Sequence, residues 1–238
     1  MLGAACADAE ITEFGLTCSE DEPCAVYVEL ASIEAAGGKI YLAGNFHTES
    51  TTLWSLLMMS EDEGRTWIEV EKRLRSVALD QIQFADNATG FVSGRTAGAL
   101  ARDPFFFRTT DGGKSWKRLP LFEEGSVGLI ESFHFDSPTH GLVTVDRGRP
   151  GAGRYALLES SSAGDAWTTR ESGSARRRSV AGAPQTSWRI TTEAATKSFR
   201  IERRAGESWQ KTASFAVQAG QCRPAPVSPV EPPSGQVN

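Results

Sequence analysis

Arginine is the residue type whose spacing in this sequence best supports a binding chemistry. Arg147, Arg149 and Arg154 lie in the glycine- and proline-rich stretch DRGRPGAGR, and residues 176–178 are consecutive arginines in GSARRRSV. A guanidinium group presents paired donors that match two oxygen atoms at once, so it favours carboxylate- and phosphate-bearing partners. The two stretches therefore predict an anion-binding surface; the alternative is a pair of mobile, solvated loops that only aids solubility.

The other reactive residue types form no recognisable catalytic or metal site. The histidines, His47, His134 and His140, have no metal-ligand spacing with the cysteines. The sequence contains neither a GxSxG nor a P-loop motif, and no Ser/His/Asp set has a recognisable context. His134 alternates with phenylalanines in a strand-like run, and His140 belongs to the turn-like stretch DSPTHG. We therefore expect no catalytic residue, no metal and no cofactor.

Four cysteines are placed near loops and chain ends. Cys18 and Cys24 bracket the acidic stretch SEDEP, whereas Cys6 and Cys222 lie near opposite ends of the chain. An even number of cysteines in such places predicts two disulfides, Cys18–Cys24 and Cys6–Cys222, in an oxidising compartment. Four free, buried thiols are the alternative.

The N-terminal stretch MLGAACADAE is like the end of an export signal, although it lacks a basic region and an apolar core. It predicts an extracytoplasmic location, and lipid attachment at Cys6 is a weaker alternative because Gly3 stands where a leucine-like residue is preferred. No apolar run reaches the ~18 residues of a membrane span. The net charge of −5 argues against nucleic acid as the partner.

A repeated polar octet that ends in tryptophan indicates how the arginines are positioned. Its copies, SEDEGRTW, TTDGGKSW, SSSAGDAW and ERRAGESW, cover residues 60–67, 109–116, 160–167 and 202–209, so the tryptophans are 49, 51 and 42 residues apart. Hairpin-like alternating runs such as IQFADNATGFVSG and FHFDSPTHGLVTV recur with them. A unit of four short strands repeated at this period predicts an all-β propeller. We expect four such blades, or five, over residues 25–218, an N-terminal arm over 1–24, and a disordered proline-rich tail over 219–238.

The octet resembles the Asp-box, or bacterial-neuraminidase, repeat, Ser/Thr-x-Asp-x-Gly-x-Thr/Ser-Trp. Two copies match it fully and two are decayed, with Ser162 and Arg204 in place of the aspartate. The resemblance implies a turn in which the aspartate accepts backbone hydrogen bonds, the glycine takes a positive φ and the tryptophan folds back into the core. The residues expected to have this structural role are Ser60, Asp62, Gly64, Thr66, Trp67, Thr109, Asp111, Gly113, Ser115, Trp116, Gly164, Trp167, Gly206 and Trp209.

Asp-boxes occur in sialidases, in sortilin-type receptor domains and in propellers similar to the photosystem II stability and assembly factor. The hairpin signal joined to the box resembles the last group most, which implies a binding or assembly protein. A sialidase-like glycoside hydrolase would need an arginine cluster and a tyrosine nucleophile with a glutamate base. The chain has three tyrosines, Tyr27, Tyr41 and Tyr155, and Tyr27 and Tyr41 lie in alternating strands and fit packing roles. A lectin-like carbohydrate-binding propeller is a third reading.

Propeller topology assigns each loop to one of two faces and predicts that charge is separated between them. The octets and the first hairpin turns place Asp62, Glu63, Asp86, Asp111 and Asp136 on one face. The remaining loops place Arg170 and the candidate ligand-binding residues on the other; these are Arg73, Arg75, Arg95, Arg102, Arg147, Arg149, Arg154, Arg176, Arg177 and Arg178. The sequence thus favours a non-enzymatic binding or assembly module that recognises a protein partner with an acidic surface, or an anionic small ligand or glycan. It leaves the oligomeric state open.

Overall fold

A computed structural model describes residues 25–180, 187–193, 198–216 and 218–221. These residues form sixteen β-strands in four antiparallel sheets, which we call blades 1 to 4 in chain order. The prediction of an all-β, blade-like fold is confirmed. The four cysteines, the arm over residues 1–24 and the tail beyond residue 221 lie outside the described residues.

The strands follow the chain within each blade. Blade 1 contains β1 (Ala25–Ala36), β2 (Lys39–His47), β3 (Thr52–Ser60) and β4 (Ile68–Glu69). Blade 2 contains β5 (Val77–Phe84), β6 (Gly90–Thr96), β7 (Arg102–Thr109) and β8 (Lys117–Pro120). Blade 3 contains β9 (Leu129–Phe135), β10 (Gly141–Asp146), β11 (Tyr155–Ser160) and β12 (Thr168–Gly173). Blade 4 contains β13 (Trp188–Glu193), β14 (Ser198–Ala205) and β15 (Ser208–Ala216).

Blades 1 and 4 depart from the expected four strands. A fifth strand, β16 (Gln218–Gln221), pairs with the start of β1, so the first residues of the predicted tail belong to blade 1. In blade 4, the run SVAGAPQTSWRITTE at residues 179–193, a weakened copy of the hairpin-like runs of blades 2 and 3, forms a strand only in its second half, β13. In the first half of this run, the described residues are 179 and 180, and they lie outside any strand. Among the described residues, blade 4 therefore has three strands.

Alternation along the strands gives each blade two apolar faces, and three clusters join the blades in the order 4–1–2–3. On β2, Leu42 packs towards blade 4 with Trp188 and Ile201, whereas Tyr41 packs towards blade 2. Blades 2 and 3 meet through a phenylalanine cluster in which the rings of Phe91 and Phe135 are stacked. No apolar cluster of described residues joins blade 3 to blade 4.

Amide side chains join the first strand of one blade to the blade before it. Asn45 Oδ1 accepts a hydrogen bond from Leu79 N at 2.8 Å, and its Nδ2 donates to Leu79 O at 3.0 Å. Gln83 makes the same pair of bonds with Phe135 N and O, both at 2.8 Å, and Gln81 does so with the backbone of Phe133. These amides satisfy backbone groups at an open sheet edge without another strand.

Serine side chains continue this pattern at two further positions. Ser32 Oγ on β1 accepts a hydrogen bond from Ile82 N on β5 at 3.1 Å. Ser132 Oγ on β9 accepts one from Val180 N, also at 3.1 Å. Val180 N is thus bonded to β9 of blade 3 in the same way that Ile82 N on β5 is bonded to β1 of blade 1. Val180 itself lies outside any assigned strand.

Four turns, which we call box turns, correspond to the repeated octets and differ in how well they are bonded. In the first, Asp62 Oδ1 accepts hydrogen bonds from Arg65 N at 3.0 Å and Thr66 N at 2.8 Å, and Thr66 Oγ1 donates to Oδ2 at 2.6 Å. These bonds, led by that of the Thr66 hydroxyl, lower the pKa of Asp62 to about 2. Asp111 in the second turn is bonded in the same way to residues 114 and 115, and its pKa is also lowered to about 2.

The two decayed turns keep less of this network. Ser162 Oγ accepts one hydrogen bond from Ala166 N at 2.9 Å, and it also donates weakly to Ala166 O. Arg204 instead donates from Nε to Gly206 O at 3.2 Å. The tryptophans differ as well: Trp67 and Trp167 each donate from Nε1 to the glycine carbonyl of their own turn at 3.1 Å, whereas Trp116 Nε1 is buried without a hydrogen-bond partner.

Candidate anion-binding site

Half of the ten candidate arginines are paired with carboxylates. The pairs are Arg73–Glu69, Arg95–Asp80, Arg154–Asp146, Arg176–Glu131 and Arg177–Glu171, and the acidic partners lie on β4, β5, β10, β9 and β12, respectively. The other five have no carboxylate partner among the described residues; they are Arg75, Arg102, Arg147, Arg149 and Arg178. Positive charge available to a ligand is therefore smaller than the count of arginines suggests.

The expected separation of charge between the two faces is incomplete. Asp80 on β5, Glu131 on β9 and Asp146 at the end of β10 each pair with an arginine that loop assignment placed on the arginine-rich face, so acids contribute to that face as well. Arg170 is a further correction: it pairs with Glu159, which directly precedes the third box turn, at 2.5 Å. Arg170 therefore lies near the opposite end from the one that loop assignment gave it.

A cavity of about 760 Å³ opens between the loops of blades 2 and 3. We call it the interblade pocket. One wall comes from the segment that follows β8 and comprises Leu121, Phe122, Glu123, Ser126 and Val127. The other wall comes from the β10–β11 loop and comprises Arg147, Arg149, Pro150, Ala152, Gly153 and Arg154. The structure thus brings the first arginine cluster of the sequence against an apolar wall from the neighbouring blade.

Asp146, at the end of β10, organises the β10–β11 loop. Its carboxylate is largely buried and accepts hydrogen bonds from Gly148 N at 2.8 Å and from Arg154 Nη2 at 2.8 Å and Nε at 3.0 Å. The bonds from Arg154, and then that from Gly148, lower the pKa of Asp146. Arg147 N closes the loop by donating to Arg154 O at 2.8 Å. Because Arg154 is neutralised by Asp146, its role in the pocket is to hold the loop.

Gly148 allows the loop to lie directly on the opposite wall. Its φ is +65°, and a Cβ at this position would come within 2.6 Å of Val127 Cγ1. A larger residue would be both strained and obstructed there, so the loop could not approach Val127 as closely. The contact places Arg147 and Arg149 on either side of the point where the two walls meet.

Arg147 and Arg149 differ in how firmly they are held. The Arg147 guanidinium lies 5.6 Å from the centre of the Phe122 ring, and its Nη2 donates to Thr169 Oγ1 at 3.3 Å. Arg149 is exposed and has no hydrogen bond or ion pair among the described residues. The pocket therefore combines one positioned guanidinium with one that is available to a ligand.

The start of β7 anchors the apolar wall. Arg102 forms an isolated bridge with Val127, and Asp103 N donates to Ser126 O at 2.8 Å. Gly125 N in turn donates to Asp103 Oδ1 at 2.5 Å. Arg102, which is exposed, therefore flanks the pocket without lining it.

The remaining candidate arginines lie elsewhere. Arg176, Arg177 and Arg178 line a separate cavity of about 540 Å³ with Thr144 and Leu157, and this cavity shares no lining residue with the interblade pocket. The two arginine clusters flank the same blade, but they do not line one cavity. Arg73 and Arg75 follow blade 1, and Arg95 is paired on blade 2.

Sequence reasoning singled out neither Asp146 nor the apolar wall. Asp146 is the first residue of the stretch DRGRPGAGR, and an acid at a strand end before an arginine- and glycine-rich loop is a usable signal for a loop-holding ion pair. Phe122 and Val127 had no comparable signal, because their role depends on a loop of another blade.

The tyrosines and His140 are mostly engaged in structural contacts. Tyr41 is fully buried, its hydroxyl donates to Gly112 O at 2.7 Å, and burial raises its pKa to about 12. The Tyr27 ring packs against His47, and the Arg154 guanidinium lies 4.9 Å from the Tyr155 ring centre. His140 lies between Asp136 and Glu159, with Nδ1 at 2.8 Å and Nε2 at 3.0 Å from their oxygens. Hydrogen bonds to Glu159 and Asp136 raise its pKa.

Within the described ranges, no three His, Cys, Asp or Glu side chains are arranged to hold a metal ion. The same ranges contain no helix with the length and hydropathy that a membrane crossing requires.

Comparisons with known proteins identify no family for this chain. No protein-family model matches it, and no curated protein does. Among solved structures, it is similar to the α-L-arabinofuranosidase Arb93A from Fusarium graminearum in complex with an iminosugar inhibitor, with a TM-score of 0.42 and 12% identity. The similarity covers 82% of this chain and 62% of the enzyme, so the chain spans about three fifths of that protein's length.

Proposed function

We propose that this protein is a non-enzymatic binding or assembly module that recognises an anionic ligand in the interblade pocket. The observation that carries the proposal is that Arg147 and Arg149, neither of which has a carboxylate partner among the described residues, line one cavity. Two guanidinium groups on one loop can offer paired donors to a carboxylate or phosphate group. The net charge of the whole chain is −5, and a net charge of this sign does not prevent a local positive field at one cavity.

The loop that carries these arginines is well suited to binding because it is already ordered. Asp146 fixes both ends of the loop through Gly148 and Arg154, and Gly148 seats it on Val127. A ligand therefore loses less free energy to ordering of the protein than it would on a loop without internal bonds.

The test is to titrate the protein with inorganic phosphate at low and at physiological ionic strength and to measure binding by calorimetry or by NMR shifts. The double variant Arg147→Ser/Arg149→Ser should lose at least about tenfold in affinity, since it removes both unpaired charges of the pocket. Wild-type affinity should fall as the screening length shortens to about 8 Å at physiological salt.

A matched control separates this site from the general charge of the molecule. Lys114→Ser/Lys211→Ser removes two exposed cations that lie outside the pocket, so net charge changes by the same amount. The control should bind phosphate like the wild type. If both double variants bind with equal affinity, or if the wild type does not bind at low salt, the proposed function is wrong.

A further inference from the structure

We infer that the interblade pocket selects organic anions that carry a flat apolar group next to a single charged head. This inference rests on the proposed function and adds the class of ligand. Its basis is the wall opposite the arginines, where Leu121, Phe122 and Val127 lie beside one another in the same cavity. A site for a bare inorganic anion has no need for such a wall.

The size of the cavity agrees with an organic ligand. Its volume of about 760 Å³ lies within the range of roughly 300–1,000 Å³ that is usual for small-molecule pockets. A bare phosphate or carboxylate group would contact the arginines and leave the remainder of this space, and the apolar wall, in contact with water. A ligand that covers the wall gains from removal of apolar surface from water.

Phe122 is the residue on which this selection depends. It is only partly buried against the cluster that joins blades 2 and 3, whereas its chain neighbour Leu121 is a buried member of that cluster. Its ring therefore has surface left for a ligand. The Arg147 guanidinium, 5.6 Å from the ring centre, places positive charge next to that surface. An aromatic ring on Phe122 would thus carry its anionic substituent towards Arg147 and Arg149.

Glu123 limits the number of charged groups that the pocket accepts. Its exposed carboxylate belongs to the same wall as Phe122 and has no ion-pair partner among the described residues. The Glu123 carboxylate would repel a second anionic group on the apolar side of a ligand. Such a group would also stay hydrated, so it would not remove the apolar wall from water. The pocket therefore favours a ligand with one anionic end and one apolar end.

The experiment compares pairs of probes that share a head group. Phenyl phosphate is titrated against inorganic phosphate, and benzoate against acetate, so that phosphate and carboxylate heads are distinguished. In each pair the aromatic probe should bind about tenfold more tightly, as expected if part of one ring is removed from water. Phe122→Ala should abolish this advantage, so that within each pair the aromatic probe and its small partner bind the variant with equal affinity.

Two further variants keep the test decisive. Phe122→Leu retains most of the packing on the blade 2–blade 3 cluster, so it serves if the alanine variant unfolds, and it should still reduce the advantage of the aromatic probes. Phe84→Leu alters a partly buried aromatic ring outside the pocket and should leave the advantage unchanged. If the wild type binds phenyl phosphate and inorganic phosphate equally, the inference is overturned and the proposed function stands. If it binds none of the four probes, both are overturned.

Discussion

The third box turn allows the structural role of the aspartate to be tested by adding one. In the second turn, the Asp111 carboxylate accepts hydrogen bonds from Lys114 N at 3.0 Å, Ser115 N at 3.0 Å and Ser115 Oγ at 2.6 Å. In the third turn, Ser162 Oγ accepts one backbone hydrogen bond, from Ala166 N at 2.9 Å. Ser162→Asp should therefore strengthen the bond to Ala166 N and offer a carboxylate acceptor to Asp165 N, which donates to Ser162 O at 3.1 Å in the present turn.

The size of the effect follows from the number and kind of these bonds. A hydrogen bond to a charged group contributes about 1.5–3 kcal/mol to stability where it is well shielded. The third turn is exposed, and the Asp165 carboxylate, which pairs with Arg108 at 2.9 Å, would repel a new aspartate nearby. We therefore expect the free energy of unfolding to rise by about 0.5–1.5 kcal/mol. The melting temperature should rise by about 2–4 °C for each kcal/mol in a chain of this size.

Urea titration and calorimetry at pH 7 measure this change, and Ser161→Asp is the control. Ser161 is exposed in the same turn, so its replacement adds the same charge without reaching the backbone groups that Ser162 bonds. A carboxylate with a lowered folded pKa stabilises fully above its unfolded pKa, near 4, and the gain disappears as pH falls through the folded value. Equal stability of the two variants at pH 7, or a gain for Ser162→Asp that persists at pH 2, would refute the reasoning.

Two more predictions concern contacts within and between blades. His140 has a raised folded pKa, so its bonds to Asp136 and Glu159 stabilise fully below its unfolded pKa of 6.5 and are lost as pH rises through the folded value. His140→Gln should consequently lower the melting temperature at pH 5.5 more than at pH 9. At each pH the melting temperature of the variant is subtracted from that of the wild type, because Glu34, whose pKa burial raises to about 7, titrates in the same range in both proteins. A melting-temperature difference that grows with pH would contradict the prediction. Gln83→Leu leaves the backbone of Phe135 without its two partners and should cost about 1–3 kcal/mol in urea unfolding. The exposed Gln210→Leu should cost much less, and equal losses would show that the Gln83 bonds do not matter.

Much of the fold could be predicted because its signals are local. The hairpin-like run IQFADNATGFVSG, for example, forms the end of β5 (Val77–Phe84), a turn and most of β6 (Gly90–Thr96). The box turns were predictable for the same reason, since their hydrogen bonds join residues two to four positions apart. Blade 4 was harder, because its repeat is decayed, with Arg204 in place of the box aspartate, and it has three strands among the described residues.

The candidate site was predictable only in part, because its charges and walls come from distant segments. Glu131 and Arg176 form an ion pair although β10, β11 and β12 separate them along the chain. No local sequence pattern shows that the two residues will meet. The pairing of Arg154 with Asp146 lies within one stretch and could have been recognised. The Phe122 wall could not, since it faces Arg147 only after blades 2 and 3 have packed together.

Side chains on the first strands β1, β5 and β9 bond to backbone positions about one repeat later in the chain, and this spacing bears on how such a chain can grow by duplication. Gln81 and Gln83 reach residues 52 positions later, Ser32 reaches one 50 positions later, and Ser132 reaches one 48 positions later. Each separation is close to the spacing of the repeat itself. A tandem copy of one repeat would therefore carry both the donor or acceptor side chain and the backbone position that it bonds, so a new blade would arrive with its own connection to the last. Growth by whole repeats needs no new interface, whereas an insertion of one or two residues in a first strand would shift the connections of that strand out of register.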